Sequence, residues 1–187
     1  PPYPDKRFLR LFRLINPAQE LSSWLVVPNL TTEGRRMLNL LNVRYIVAAP
    51  GSTGIEASGL TPSYRGADAD VYRDDRAVPR AFVPRIVRSV RTEDAMFARL
   101  SSARFQPARE AVVRGSLGVQ KGGGAVTVHR DEPAEVELRT RLRRRSLVVL
   151  TNAFHVGWSV SVDGNRQRPV RVAARRRTGR MRQPTAR

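Results

Sequence analysis

Cysteine is absent from this chain, which removes disulfide staples, thiolate nucleophiles and cysteine-ligated zinc and leaves either side of a membrane open as its redox compartment. Histidine occurs only as His129 and His155, far apart and with no carboxylate at a metal-ligand spacing, so neither a metal site nor a histidine acid or base is indicated. Lysine is almost missing too, with Lys6 and Lys121 the only two. Aromatic residues make up 6%. No apolar run approaches the ~20 residues that span a bilayer; the cleanest, 146–150, is the size of a strand. Nucleophile motifs, a Walker loop and a dinucleotide fingerprint are also lacking, since Gly122-Gly123-Gly124 is followed by neither Lys-Ser/Thr nor a helical pattern and reads as a flexible turn.

What is present is enough apolar material to fold. Hydrophobic residues are 41% of 187, sufficient for one domain, or two small ones sharing an interface, with a real core. The formal net charge is +18, but the excess is unevenly placed. Residues 166–187 hold nine arginines and no acid, so 1–165 carry 25 basic against all 16 acidic residues. Half of the net excess therefore sits at one end. The near-total use of arginine fits a GC-rich coding sequence as readily as it fits a ligand.

Along the chain, Pro1 and Pro4 break an extended linker. Residues 8–15 alternate apolar side chains with Arg10 and Arg13 and fit a short amphipathic helix or a twisted strand equally well, stopped by Asn16-Pro17. Residues 21–27 read as a strand or an extended segment. Thr31 or Thr32 then supplies an N-cap, with Glu33 in the favoured first turn, for a helix ending near Asn42. A buried strand is expected over 43–48 and a loop over 50–66. Residues 69–73 alternate as a strand and Asp74-Asp75 as a turn. A longer strand over 80–90 is interrupted at Pro84, which cannot donate to a ladder. Thr92-Glu93-Asp94 starts a helix through Leu100, with Ala95, Met96, Ala98 and Leu100 mostly inward. After Pro107 the texture changes to short strands at 111–114, 125–130, 134–140, 146–151, 158–162 and 168–172, the spacing of an antiparallel sandwich. Glu135 and Glu137 alternate along one of them and share a solvated face.

Three residues are candidate ligand contacts. Arg44, second in the 43–48 strand, faces the side opposite Tyr45 and is the ligand-contact candidate of the two. Arg80 follows Pro79 and either pairs with Asp68, Asp70, Asp74 or Asp75 or grips an anionic headgroup or phosphate with its planar fork. Trp158 follows Gly157 and either packs in the core, with the glycine permitting a bend, or stacks on a sugar ring. Asp163-Gly164 is a hairpin turn signal. Arg139, Arg141 and 143–145 form one basic cluster and 175–177 another. The aromatics needed for stacking on single-stranded nucleic acid are not interleaved with them.

The blocks Leu40-Leu41-Asn42-Val43-Arg44-Tyr45-Ile46-Val47, Val78-Pro79-Arg80-Ala81-Phe82-Val83 and Phe154-His155-Val156-Gly157-Trp158-Ser159-Val160-Ser161-Val162-Asp163-Gly164-Asn165, in that order, resemble the C-terminal region of the YfhO-like bacterial membrane proteins. The similarity runs from about residue 38 to about 171. It implies a detached piece of a larger protein in which membrane helices of the C-class, lipid-phosphate-sugar-dependent glycosyltransferase kind come first and an extracytoplasmic region follows. Members of that family are linked to glycosylation of cell-envelope polymers. The family's catalytic acid belongs to an early extracytoplasmic loop that this sequence does not contain, so no catalytic residue carries over. After Arg168-Pro169-Val170 the family continues with apolar strands, whereas 173–187 is an arginine-rich string, as a frameshift or an artificial terminus would give.

The expectation is thus an α+β, mainly β fold: a linker and amphipathic segment (1–20), a small α+β domain (21–107), an incomplete antiparallel β-sandwich (108–172) and a disordered basic tail (173–187). The resemblance implies a non-catalytic accessory domain at the extracytoplasmic face of the bacterial membrane. Its implied partners are the protein's own transmembrane region and an envelope glycan or lipid-linked sugar, with no cofactor and no metal. The alternative is a small basic nucleic-acid-binding protein.

Overall fold

The structure is a computed structural model that describes residues 6–16, 30–52, 55, 59–152, 157–167, 169 and 180–182. The strand expected at 21–27 and almost all of that at 168–172 lie outside those residues, as does His155. The fold is α+β and mainly β, arranged in several small sheets. It divides into two compact units that meet at Ala77 and Val78.

In the first unit the ambiguous amphipathic segment is a helix, α1 (Lys6–Ile15). Phe12 and Ile15 are buried while Arg10 and Arg13 are exposed, which is how a helical period sorts this pattern. The next helix, α2 (Thr32–Leu40), starts where the capping signal places it, with the Gly34 N–H donating to Thr31 Oγ1 at 2.9 Å. The Ile15 carbonyl lies so close to Gly34 that a Cβ there would come within 2.7 Å of it. At the other end Asn42 adopts φ 63°, its N–H bonds to the Asn39 carbonyl, and that of Val43 reaches back to the Leu38 carbonyl. This is the Schellman pattern, with asparagine tolerating the left-handed position.

The strand after it, β1 (Tyr45–Ala48), pairs antiparallel with β3 (Asp70–Arg73), whose other edge takes β2 (Thr61–Arg65). The buried strand expected at 43–48 is corrected here. β1 begins at Tyr45 and alternates between exposed and half-buried positions. Likewise β2 occupies the end of the expected 50–66 loop. Beneath the sheet Tyr72 is 1% exposed.

In the second unit Pro84 falls between β4 (Ala81–Phe82) and β5 (Ile86–Val90), and splits the long strand as a missing donor should. Helix α3 (Glu93–Ser101) is capped by Thr92, whose Oγ1 accepts from the Ala95 N–H at 3.1 Å. Its buried residues are Phe97 and Leu100, while Ala95 and Ala98 are exposed; Phe97 takes the inward position expected for the alanines because it has more surface to bury. β6 (Glu110–Arg114) runs parallel to β5, so β5, α3 and β6 form a βαβ crossover.

The remaining strands are β7 (Gly124–Asp131), β8 (Glu135–Leu142), β9 (Val149–Leu150), β10 (Ser159–Val162), β11 (Asn165–Gln167) and β12 (Arg180–Arg182). All but β9 form one antiparallel sheet, ordered β11-β10-β12-β8-β7. β9 pairs with β4. Ala81, Val148 and Leu150 pack with Val136, Leu138, Trp158 and Val160 in one apolar cluster, so the β4–β9 pair covers one face of the sheet as a partial second layer. Pairings across residue 107 thus join the segments on either side of it. Arg180–Arg182, inside the segment expected to be disordered, is a strand between β10 and β8; the rest of 173–187 lies outside the described residues. Among the described residues no helix is long and apolar enough to cross a membrane.

Candidate functional site

Each of the three candidate contact residues is placed by its local structure. Arg80 enters β4 behind Pro79, and its guanidinium grips Asp131 bidentately, Nε to Oδ2 at 2.8 Å and Nη2 to Oδ1 at 2.9 Å. Its Nη1 donates to the Thr151 carbonyl, while the Thr151 N–H and hydroxyl donate to the Arg80 carbonyl at 2.9 and 3.0 Å. Arg80 is therefore a clamp at the end of the β4–β9 pair. The expected carboxylate partner exists, but it is Asp131 rather than any of the four aspartates close in sequence.

Trp158 is 7% exposed and belongs to the apolar cluster. Its indole packs in the core and leaves no open face for a sugar ring, the structural alternative of the two stated for it. Asp163 and Gly164, with φ 49° and 81°, form the two-residue loop between Val162 and Asn165, the conformation of a type I′ hairpin turn. Arg44 remains exposed, one residue before β1, and its carbonyl accepts from the Asp74 N–H at 2.8 Å.

The carboxylates that could serve chemistry are held by arginines. Asp74, 3% exposed, takes Arg35 Nε at 2.6 Å and Nη2 at 2.7 Å. Burial pushes its carboxyl up, but the Arg35 hydrogen bonds and the Arg76 N–H outweigh that and hold it below the usual aspartate value. Glu110 takes Arg99 on both oxygens at 2.6 Å and Arg88 Nε at 2.7 Å. Among the described residues no cluster of three or more His, Asp or Glu could hold a metal. His129 is exposed on β7, with Nε2 3.0 Å from Arg139 Nη2.

The sequence reading missed a surface on the first unit. Register places Tyr45, Arg73 and Thr61 in one row across β1, β3 and β2, and Val47, Val71 and Tyr64 in the next. These six side chains share the face opposite Tyr72. Tyr45 is 55% exposed, Val47 69% and Tyr64 51%. The irregularity between Pro62 and Tyr64 turns Tyr64 onto this face, and its hydroxyl donates to Asp68 Oδ1 at 3.0 Å. That bond, with backbone N–H groups, lowers the Asp68 carboxyl below its ordinary range. Gly66 leaves the room for it, since a Cβ there would collide with the Tyr64 hydroxyl. Arg73 pairs with Asp75 at 2.8 Å. Tyr45 and Tyr64 thus stand on the two edge strands of this face, on either side of Val71 and Arg73 of β3. Nothing in Tyr45-Ile46-Val47-Ala48 distinguishes its open face, because both faces are apolar; the Ser63-Tyr64-Arg65 run held a weak strand signal that the surrounding glycines obscured.

No protein-family model, no curated protein and no solved structure matches this chain.

Proposed function

We propose that this chain is a non-catalytic, extracytoplasmic accessory module of a polytopic membrane protein of the YfhO-like, glycosyltransferase-like kind, contributing a binding surface to cell-envelope polymer glycosylation. One observation carries the reading: the three sequence blocks that resemble that family fall on joints of the fold. Asn42 provides the left-handed residue between α2 and β1. Pro79-Arg80 leads into β4 and clamps it to the end of β9. Trp158 fills the core and Asp163-Gly164 turns β10 into β11. Blocks whose residues serve the fold are what the resemblance leads one to expect of an accessory module.

In this proposal the exposed face of Tyr45, Val47 and Tyr64 meets the acceptor glycan, and the parent protein's membrane region supplies the catalytic acid. The test is the coding DNA ahead of the codon for Pro1. The proposal expects several in-frame apolar segments long enough to cross a bilayer; an initiation codon immediately ahead, with none of them, would overturn it.

A further inference from the structure

The arginines of β8 are segregated in a way that folding does not require. Between residues 111–130 and again between 138–162 the sequence contains no acid. At the hairpin end of the β7–β8 ribbon Asp131 is held by Arg80, and Glu132 and Glu135 by Arg130. Towards the open end Arg139, Arg141, Arg143, Arg144 and Arg145 are all exposed, and among the described residues none of the five forms an ion pair. A surface built only for solubility would intersperse the two signs.

The open end is also built to hold these charges close together. The Arg143 N–H donates to the Gly123 carbonyl at 3.1 Å, and the Gly123 N–H to Ser146 Oγ at 3.1 Å. The exposed Lys121 lies on the strand side of that turn. Gly124 pairs with Leu142, where a Cβ would strike the Arg141 carbonyl. Arg139 and Arg141 share one face about 7 Å apart along the strand, the face opposite the core residues Val136 and Leu138.

We propose that this arginine ridge docks on an anionic phospholipid surface. The arginines pair with headgroup phosphates while their apolar stems lie along the interface. A single nucleic-acid strand fits less well, because among the described residues no exposed aromatic accompanies the ridge to stack on its bases. Docking of this kind does not require that the parent protein be a glycosyltransferase.

The test is co-sedimentation of the full chain with phosphatidylcholine vesicles, with and without phosphatidylglycerol. Each arginine near an anionic bilayer adds about fivefold to partitioning. The triple variant Arg141→Gln, Arg143→Gln, Arg144→Gln should lose about a hundredfold on phosphatidylglycerol vesicles. A control removing three exposed arginines elsewhere, Arg91→Gln, Arg104→Gln, Arg109→Gln, should lose far less, and binding of the wild type should weaken steeply as salt rises. Equal losses in the two triple variants, equal binding to pure phosphatidylcholine, or retention of duplex DNA in place of vesicles would each overturn the proposal.

Discussion

Arg35 and Asp74 stand 39 positions apart in the chain and make the most deeply buried ion pair among the described residues, at 8% and 3% exposure. Removing one partner strands the other charge in the interior. Asp74→Ala should therefore cost about 3–5 kcal/mol in urea unfolding, whereas replacing both partners with apolar residues of similar volume should recover much of that loss. The pH dependence follows from the lowered Asp74 carboxyl. Its folded value lies below the ordinary 3.8, so the pair's contribution is complete above that value and disappears as pH falls through the lower, folded one. The stability difference between the wild type and Asp74→Asn should hold constant from neutral pH down to about pH 5 and then shrink. Trp158→Ala should cost about 3–5 kcal/mol as a core truncation; a variant as stable as the wild type would return the indole to the surface. Arg80, paired at the half-exposed level of 30% and 40%, should matter less, about 1 kcal/mol.

Elements were readable from the sequence where a local signal sets them. Thr31 and Thr92 cap α2 and α3, so changing either to alanine should lower stability by about 1 kcal/mol. Asn42→Gly should be neutral or mildly stabilising and Asn42→Ala costly by about 1 kcal/mol, because the position demands a left-handed backbone. Thermal denaturation monitored by circular dichroism would check all four substitutions. Pro84 and Asp163-Gly164 were equally readable, as each acts through its own backbone. What the sequence did not display were choices made between distant segments. The run Glu110-Ala111-Val112-Val113-Arg114 is compatible with either strand direction, and its parallel pairing with β5 is decided by the crossover through α3. Arg80 had four aspartates close in sequence, yet it pairs with Asp131, 51 positions away. Tyr45 read as buried because β1 is apolar on both faces, and only the layout of the sheet leaves one of them open.

At the scale of the molecule, the change of texture after Pro107 is real as composition. The contacts instead gather into units meeting at Ala77 and Val78, because β4 and β5 find their partners in β9 and β6. Net charge follows the same distinction between count and place. The 34 basic residues include arginines held in ion pairs, which add nothing to the excess, a ridge without ion pairs, and the nine arginines of residues 166–187. The central claim is that this polypeptide works as the exposed part of a much larger protein anchored in a bacterial membrane. An antibody raised against it and used on fractionated source cells tests that most directly. The account predicts a band several times heavier than 21.0 kDa, confined to the membrane fraction and lost when protease is added to intact spheroplasts. A protease-resistant band at the mass of the chain itself, in the soluble fraction, would contradict it.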